Sequence, residues 1–226
     1  VVVSDGALAV VDLTAETPVA RLIPLVEDQL DAPVAEEVVL SADGSFAFVR
    51  QREVEDLLVV DLENGVVDRL VVGADPTDMD LSVDGQRLAV VARSARQVWT
   101  FDVENPYAAA AVVDFPSDRA YGSLAFTGDG LRALLYTNAS LTDSLAIWDL
   151  GDDSFDERAL VKPVSSIGLS PSGATAIVFH TEANAVDADA DDAFYDEWAV
   201  TLMQTDGKGE NRLLLPSEPA GYTVTE

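Results

Sequence analysis

Leu81-Ser82-Val83-Asp84-Gly85 is an apolar residue followed by a hydroxyl residue, an aspartate and a glycine, the composition of a tight turn between two β-strands. The same order of residue types, with small changes, returns at residues 40–44, 126–130 and 169–173. The glycines that close the four turns lie 41, 45 and 43 residues apart. Because a period of about 40–45 residues is typical of β-propeller blades, this spacing predicts an all-β chain of repeated four-stranded blades.

Each unit is predicted to contain four short antiparallel strands, here called A to D. In the second unit, apolar segments predict these strands at residues 34–40, 46–50, 57–62 and 66–72. Asp-Gly and Asn-Gly dipeptides separate A from B and C from D. Since such dipeptides supply the positive φ angles of two-residue hairpins, consecutive strands are expected to be neighbours.

Strand C repeats most clearly, as an apolar run that ends in an aspartate. The runs are residues 7–13, 57–62, 98–103 and 145–150. Near-continuous apolar strands are typical of strands buried on both faces, and the aspartate is expected to accept N–H bonds from the following turn. Because side chains alternate along a strand, Trp99 and Phe101 are expected on one face and Val98 and Thr100 on the other.

Composition excludes several classes of function. The 226 residues include 41 acidic and 13 basic ones, a formal charge of −28. Such a surface repels nucleic-acid phosphates and anionic lipid, so neither partner is expected, and no apolar run approaches the ~18 residues of a membrane span. Cysteine is absent, which excludes disulfides and thiol chemistry. With 48% hydrophobic residues and no flexible linker, residues 1–226 are predicted to form one domain.

Residues 72–85 resemble the start of a blade in the YVTN-type, WD-repeat-like family of seven-bladed β-propellers. In that family a glycine, a proline and a Ser-x-Asp-Gly turn recur in this order, and here they are Gly73, Pro76 and residues 82–85. Leu134-Leu135-Tyr136-Thr137-Asn138 is similar to the tetrapeptide that names the family. The resemblance implies a secreted or cell-surface protein of bacterial or archaeal type, with lactonase-like enzymes among more distant relatives.

The repeat divides the chain into four complete units with an incomplete unit at each end. Their approximate bounds are residues 1–30, 31–73, 74–116, 117–162, 163–216 and 217–226. Residues 1–30 supply only strands B to D, and residues 221–224 are interpreted as a lone strand A. This lone strand completes the opening unit in a closed five-bladed ring, whereas the resemblance favours about 4.5–5 blades of a partial seven-bladed propeller. Two positions depart from the repeat, Gln204 at the end of strand C and Ser172 in place of the turn aspartate.

The densest acidic segment connects strands B and C of the last complete unit. Asp187, Asp189 and Asp191 alternate there, as in loops that place several oxygens around calcium. The sixth and twelfth positions are Asp192 and Trp198, not the glycine and glutamate of a helical calcium loop. The alternatives are an irregular calcium site at the three aspartates and a solvated acidic loop, and the second is favoured.

No catalytic or cofactor-binding residue is predicted. His180 is the only histidine and ends an apolar strand, which favours a structural role. No nucleophile elbow, phosphate loop or dinucleotide fingerprint accompanies it. Four arginines near strand D are expected to pair with carboxylates, the alternative being an anion-binding ring; they are Arg21, Arg69, Arg158 and Arg212. Three strand C tryptophans are expected between blades, the alternative being a stacking platform; they are Trp99, Trp148 and Trp198.

These observations together predict a non-catalytic binding or scaffold propeller with an unknown protein or small-molecule partner. The resemblance implies an extracytoplasmic location, that is, periplasmic, cell-surface or secreted. The alternative is a propeller hydrolase of lactonase type. A metal-dependent hydrolase needs several oxygen or nitrogen ligands that converge from different blades.

Overall fold

The computed structural model describes residues 1–4, 6–14, 16–27, 32–219 and 221–223. These residues form β-strands and no helix, and the strands assemble into one three-stranded and four four-stranded antiparallel sheets. The predicted all-β propeller of four-stranded blades is therefore confirmed. Among these residues there is no helix with the length and apolar character needed to cross a membrane.

Within every sheet the strands lie side by side in chain order. The first sheet contains β1 (Val2–Ser4), β2 (Ala7–Asp12) and β3 (Val19–Pro24). The second contains β4 (Ala35–Leu40), β5 (Phe46–Gln51), β6 (Asp56–Asp61) and β7 (Val67–Val71). The third contains β8 (Pro76–Leu81), β9 (Arg87–Ala92), β10 (Gln97–Asp102) and β11 (Ala111–Asp114). The fourth contains β12 (Ser123–Phe126), β13 (Arg132–Tyr136), β14 (Ser144–Asp149) and β15 (Phe155–Ala159). The fifth contains β16 (Val164–Leu169), β17 (Thr175–His180), β18 (Trp198–Gln204) and β19 (Glu210–Leu215).

The chain divides into two compact units, which are described separately. The first unit is Val1–Leu81 with Gly85–Val112, and the second is Ser82–Asp84 with Val113–Glu226. In the first unit, apolar side chains of β2 and β3 pack against those of β5 and β6, and a second cluster joins β5 and β6 to β8, β9 and β10. In the second unit, Leu134, Leu145 and Ile147 pack against Ala176, Val178 and Met203 of the fifth sheet. The bounds of the sequence repeats stay a prediction.

Strand alternation in the third sheet agrees with the sequence. Phe101 is buried and Trp99 half-buried in the same apolar cluster, which β10 shares with the second sheet. Val98 and Thr100 are also buried but do not belong to that cluster. The two pairs therefore occupy opposite faces of β10, as predicted.

The turns that define the repeat are held by side-chain hydrogen bonds. Gly44, Gly85, Gly130 and Gly173 all have φ between +70° and +74°. The hydroxyl of Ser41 donates to Asp43 Oδ1 at 2.6 Å, and the same carboxylate accepts the Ser45 N–H at 3.0 Å. Since the hydroxyls of Ser41 and Ser45 and a backbone amide all favour the charged form, the pKa of Asp43 is lowered to about 2.

The four arginines near the outer strands make two kinds of contact. Arg69 pairs with Asp56, Arg158 with Asp156 and Arg212 with Glu210, as the sequence predicted. Arg21 differs, because its guanidinium donates to the carbonyls of Leu62 and Glu63 in the next sheet. Arg158 makes the equivalent bond to the Gly207 carbonyl at 2.6 Å. Both arginines thus tie an outer strand to the final turn of the following sheet.

The predicted lone strand at residues 221–224 is not formed over its described part. Residues 221–223 have no strand pairing, and Val224 lies outside the described residues. The ring of Tyr222 instead packs on Phe179 of the fifth sheet. Side-chain packing has replaced the backbone ladder that the sequence pattern predicted.

Two turn glycines with the same backbone conformation provide a matched test of the packing. Gly44→Ala is expected to cost about 1–2 kcal/mol, because φ is +74° but nothing lies within 4 Å of the added methyl group. Gly173→Ala is expected to cost clearly more, since its methyl group meets the backbone of Gly128 and lies 2.9 Å from Asp129 N. Urea unfolding of the two variants measures the difference, and equal shifts of the midpoint would contradict this account.

Candidate ligand-binding pocket

The fifth sheet presents two chemically different faces. In its register, Phe179 lies opposite Val200 and Ser166, and Trp198 lies two residues before Val200, so these four side chains share one face. Ala176 and Val178 alternate with them and point into the core of the second unit. The strand pairing alone therefore separates the core face from an outer face that carries Phe179 and Trp198.

A pocket of about 150 Å³ lies on the outer face. Its lining combines aromatic rings, hydroxyls and one carboxylate: Ser165, Ser166, Phe179, His180, Trp198, Glu218, Pro219, Gly221 and Tyr222. Phe179 is 6% exposed, Trp198 is half-buried and Glu218 is exposed. Apolar walls with a few polar groups at the rim are typical of small-molecule sites.

Tyr222 forms one wall of the pocket from outside the sheet. Its ring stacks on Phe179 with centroids 4.4 Å apart and planes inclined by 27°, and its hydroxyl donates to the Ile167 carbonyl at 3.3 Å. A Cβ atom at Gly168 would lie 2.5 Å from Tyr222 Cε2. The absence of a side chain at Gly168 is therefore what lets the tyrosine ring approach β16.

His180 is held in a neutral, structural state. It is 1% exposed, with Nδ1 3.3 Å from the Pro163 carbonyl and Nε2 2.8 Å from the Thr201 hydroxyl. Because a carbonyl only accepts, Nδ1 carries the proton and Nε2 accepts from Thr201. Burial lowers the pKa of His180 to about 4. Both ring nitrogens are occupied, so this geometry is that of a structural histidine.

The acidic loop that precedes Trp198 is closed at its base by a buried lysine. Lys162 is 1% exposed, and its ammonium donates to the carbonyls of Glu182 and Glu197, each at 2.6 Å. Burial lowers the pKa of this lysine, while the neighbouring carboxylates of Asp196, Glu182 and Glu197 oppose the shift. The two ends of the loop are thus joined through one side chain.

The predicted calcium residues lie within this loop. Asp187, Asp189 and Asp191 are exposed, and the Asp189 carboxylate accepts the Asp191 N–H at 2.9 Å. In the described ranges, no three or more His, Cys, Asp or Glu residues are grouped so as to hold a metal ion. The three aspartates do not form such a group, and both interpretations of the loop, the favoured solvated loop and the alternative calcium site, stay predictions.

The strand C tryptophans have different environments. Trp148 is buried, as expected, and stacks on Phe155 of its own sheet and donates to Asp153. Trp99 is half-buried and donates to Gln97. Trp198 instead lines the pocket. The sequence alternative for these residues is a stacking platform, but no pattern in the sequence places Tyr222 and Glu218 next to Trp198.

Comparison with known proteins supports the fold and no function. No protein-family model matches the chain, and no curated protein sequence matches it. Solved structures that it resembles include Kuenenia stuttgartiensis hydrazine synthase, with a TM-score of 0.62, 16% identity and coverage of 81% of this chain and 50% of that one. The β-propeller domain of Cps50 (Swd1) from Myceliophteria thermophila has a TM-score of 0.60 and 21% identity over 77% of this chain and 60% of that one.

A functionally unknown protein from Desulfotomaculum acetoxidans is also similar, with a TM-score of 0.58 and 13% identity over 88% of this chain and 59% of that one. The chain therefore spans 50–60% of the length of these three structures. At such identities the similarity shows the β-propeller fold alone.

The single histidine allows a direct test of its buried state. In the folded protein, the NMR titration of the His180 ring is expected to have a midpoint near 4, and in urea near the ordinary pKa of 6.5. Since the unfolded chain takes up the proton first, the stability contributed by the neutral ring is complete above pH 6.5 and is lost as the pH falls toward 4. A folded midpoint at or above 6 would show that the ring is solvated.

The two lysines of the chain form a matched pair for testing the loop closure. Lys162→Met is expected to destabilise the protein by about 1–3 kcal/mol, because it leaves two carbonyls without their donor. It is also expected to speed cleavage of the loop by a protease specific for acidic residues. Lys208→Met is the control, since that side chain is 79% exposed. Equal effects of the two variants would contradict the proposed closure.

Proposed function

We propose that this chain is a non-catalytic, extracytoplasmic binding propeller that takes a small ligand in the pocket on the outer face of its fifth sheet. The observation that carries the proposal is the composition of the pocket, in which three aromatic rings accompany a single carboxylate. The only histidine beside it has both nitrogens engaged by Pro163 and Thr201. The residues that line the pocket therefore favour binding of a ligand over acid–base catalysis.

Charge and resemblance support the rest of this proposal. A net charge of −28 disfavours nucleic acid and anionic lipid as partners. The location is proposed from the YVTN-type resemblance of residues 72–85 and 134–138. A propeller is a scaffold whose function lies in the particular sites that it carries, and the pocket on the fifth sheet is the site proposed here.

The proposed function is tested by measuring binding and turnover on the same preparation. Saturation-transfer NMR against a small-molecule library is expected to give bound compounds whose signals disappear in Tyr222→Ala. Tyr107→Ala is the control, because Tyr107 is 53% exposed, close to the 51% of Tyr222, but does not line the pocket.

Turnover is expected to be absent on a panel of lactones and phosphoesters, with and without divalent ions. The alternative of a lactonase-type hydrolase makes the opposite prediction. Metal-dependent hydrolysis that is lost when acidic residues are neutralised would overturn the binding proposal.

A further inference from the structure

The aromatic side chains that line the pocket suit a ligand with a diffuse positive charge. Phe179, Trp198 and Tyr222 all line it. The Tyr222 ring stacks on Phe179, and the residue as a whole is 51% exposed, so it is not enclosed by the sheet. Aromatic faces carry negative electrostatic potential and attract cations within about 6 Å of the ring centroid.

Acidic groups outnumber basic groups around the pocket. Glu218 is the only lining residue with a formal charge at neutral pH, because His180 is neutral. The acidic loop, with five aspartates and two glutamates between residues 182 and 197, leads directly into Trp198. Two cations act on His180: Arg212 is paired with Glu210, whereas Lys162 donates to two neutral carbonyls and keeps its charge. Such a surface concentrates cations and excludes anions.

Size and hydrogen-bonding capacity narrow the ligand class further. A volume of about 150 Å³ is below the roughly 300–1,000 Å³ of sites for drug-sized molecules, so it suits a compact head group. His180 is occupied, so the polar side chains that remain at the pocket are the two serine hydroxyls and Glu218, beside three aromatic rings. A quaternary ammonium group has no N–H to satisfy and needs only ring faces and a counter-charge.

We propose that this pocket binds a compact organic cation of the quaternary ammonium type, with Phe179, Trp198 and Tyr222 around its alkyl groups and Glu218 as counter-charge. The proposal rests on the proposed binding function and names its ligand class. Ser165 and Ser166 lie at the same pocket and supply hydroxyls for a polar substituent of the cation. The position of Tyr222 depends on Gly168, because a side chain at residue 168 would collide with the tyrosine ring.

The experiment compares choline with its neutral isostere 3,3-dimethylbutan-1-ol by isothermal titration calorimetry on the full chain. The two molecules have the same shape and differ in charge. Choline is expected to bind saturably and at least about tenfold more tightly than the isostere, because cation–π attraction acts on choline alone. Tetramethylammonium is expected to bind as well, and raised salt to weaken both cations.

Variants assign the effect to the pocket. Tyr222→Leu keeps an apolar wall without the ring, and Glu218→Gln removes the counter-charge, so both are expected to weaken choline binding at least about threefold and to leave the isostere unchanged. Glu104→Gln makes the same charge change at an exposed residue of the other unit and is expected to have no effect. The His180 ring resonance reports on whether each variant is folded.

Each contrary outcome has a distinct meaning. Equal affinity for choline and the isostere, choline binding unaffected by Tyr222→Leu, or preference for glucose in the same pocket would overturn the cation proposal while the binding function stands. Absence of any binding overturns the cation proposal, and absence of binding together with hydrolytic turnover overturns the proposed function as well.

Discussion

The placement of every side chain depends on the strand register, and in three of the five sheets a hydroxyl at the end of the first strand bonds to the start of the second and holds that register. The Ser41 hydroxyl accepts the N–H of Phe46 at 2.9 Å, Thr127 accepts that of Arg132 at 3.1 Å, and Ser170 that of Thr175 at 3.2 Å. In each case the amide lies five residues further along. Because a slip of one residue would exchange the two faces of a strand, this bond decides which side chains enter the core.

In the fifth sheet, the strand register gives two neighbouring pocket residues different roles. His180 and Phe179 are neighbours in β17, so their side chains must point to opposite faces. The histidine meets Thr201 and Pro163 on one side, while the phenylalanine meets Tyr222 on the other. The rigid core therefore positions two pocket rings, Phe179 and Trp198, and only the third ring comes from a segment outside the sheet.

Much of the fold could be predicted from local chemistry, because turn residues and strand periodicity act over a few positions. The strands of the second sheet lie within one residue of their predicted bounds. Even the departures are local: Asp206 accepts the Lys208 N–H at 3.0 Å in the turn after Gln204, and Ser172 accepts the Ala174 N–H at 3.3 Å in place of an aspartate. In both turns the donor is still a backbone N–H and only the accepting side chain differs, and both turns keep a positive-φ glycine, Gly173 and Gly207.

The pocket could not be predicted in this way, because its residues come from separate segments that only tertiary packing brings together. Gly168 shows the reason most clearly. In sequence it is one more glycine in a strand, yet a Cβ atom there would displace Tyr222, 54 positions later. Residues 221–224 have the alternation of a strand, and in the described part the ring of Tyr222 packs on Phe179 instead. The local pattern favours a paired strand, whereas the tertiary contact favours the stack of Tyr222 on Phe179. This stack between two rings adds the wall that turns the open face of the sheet into a pocket.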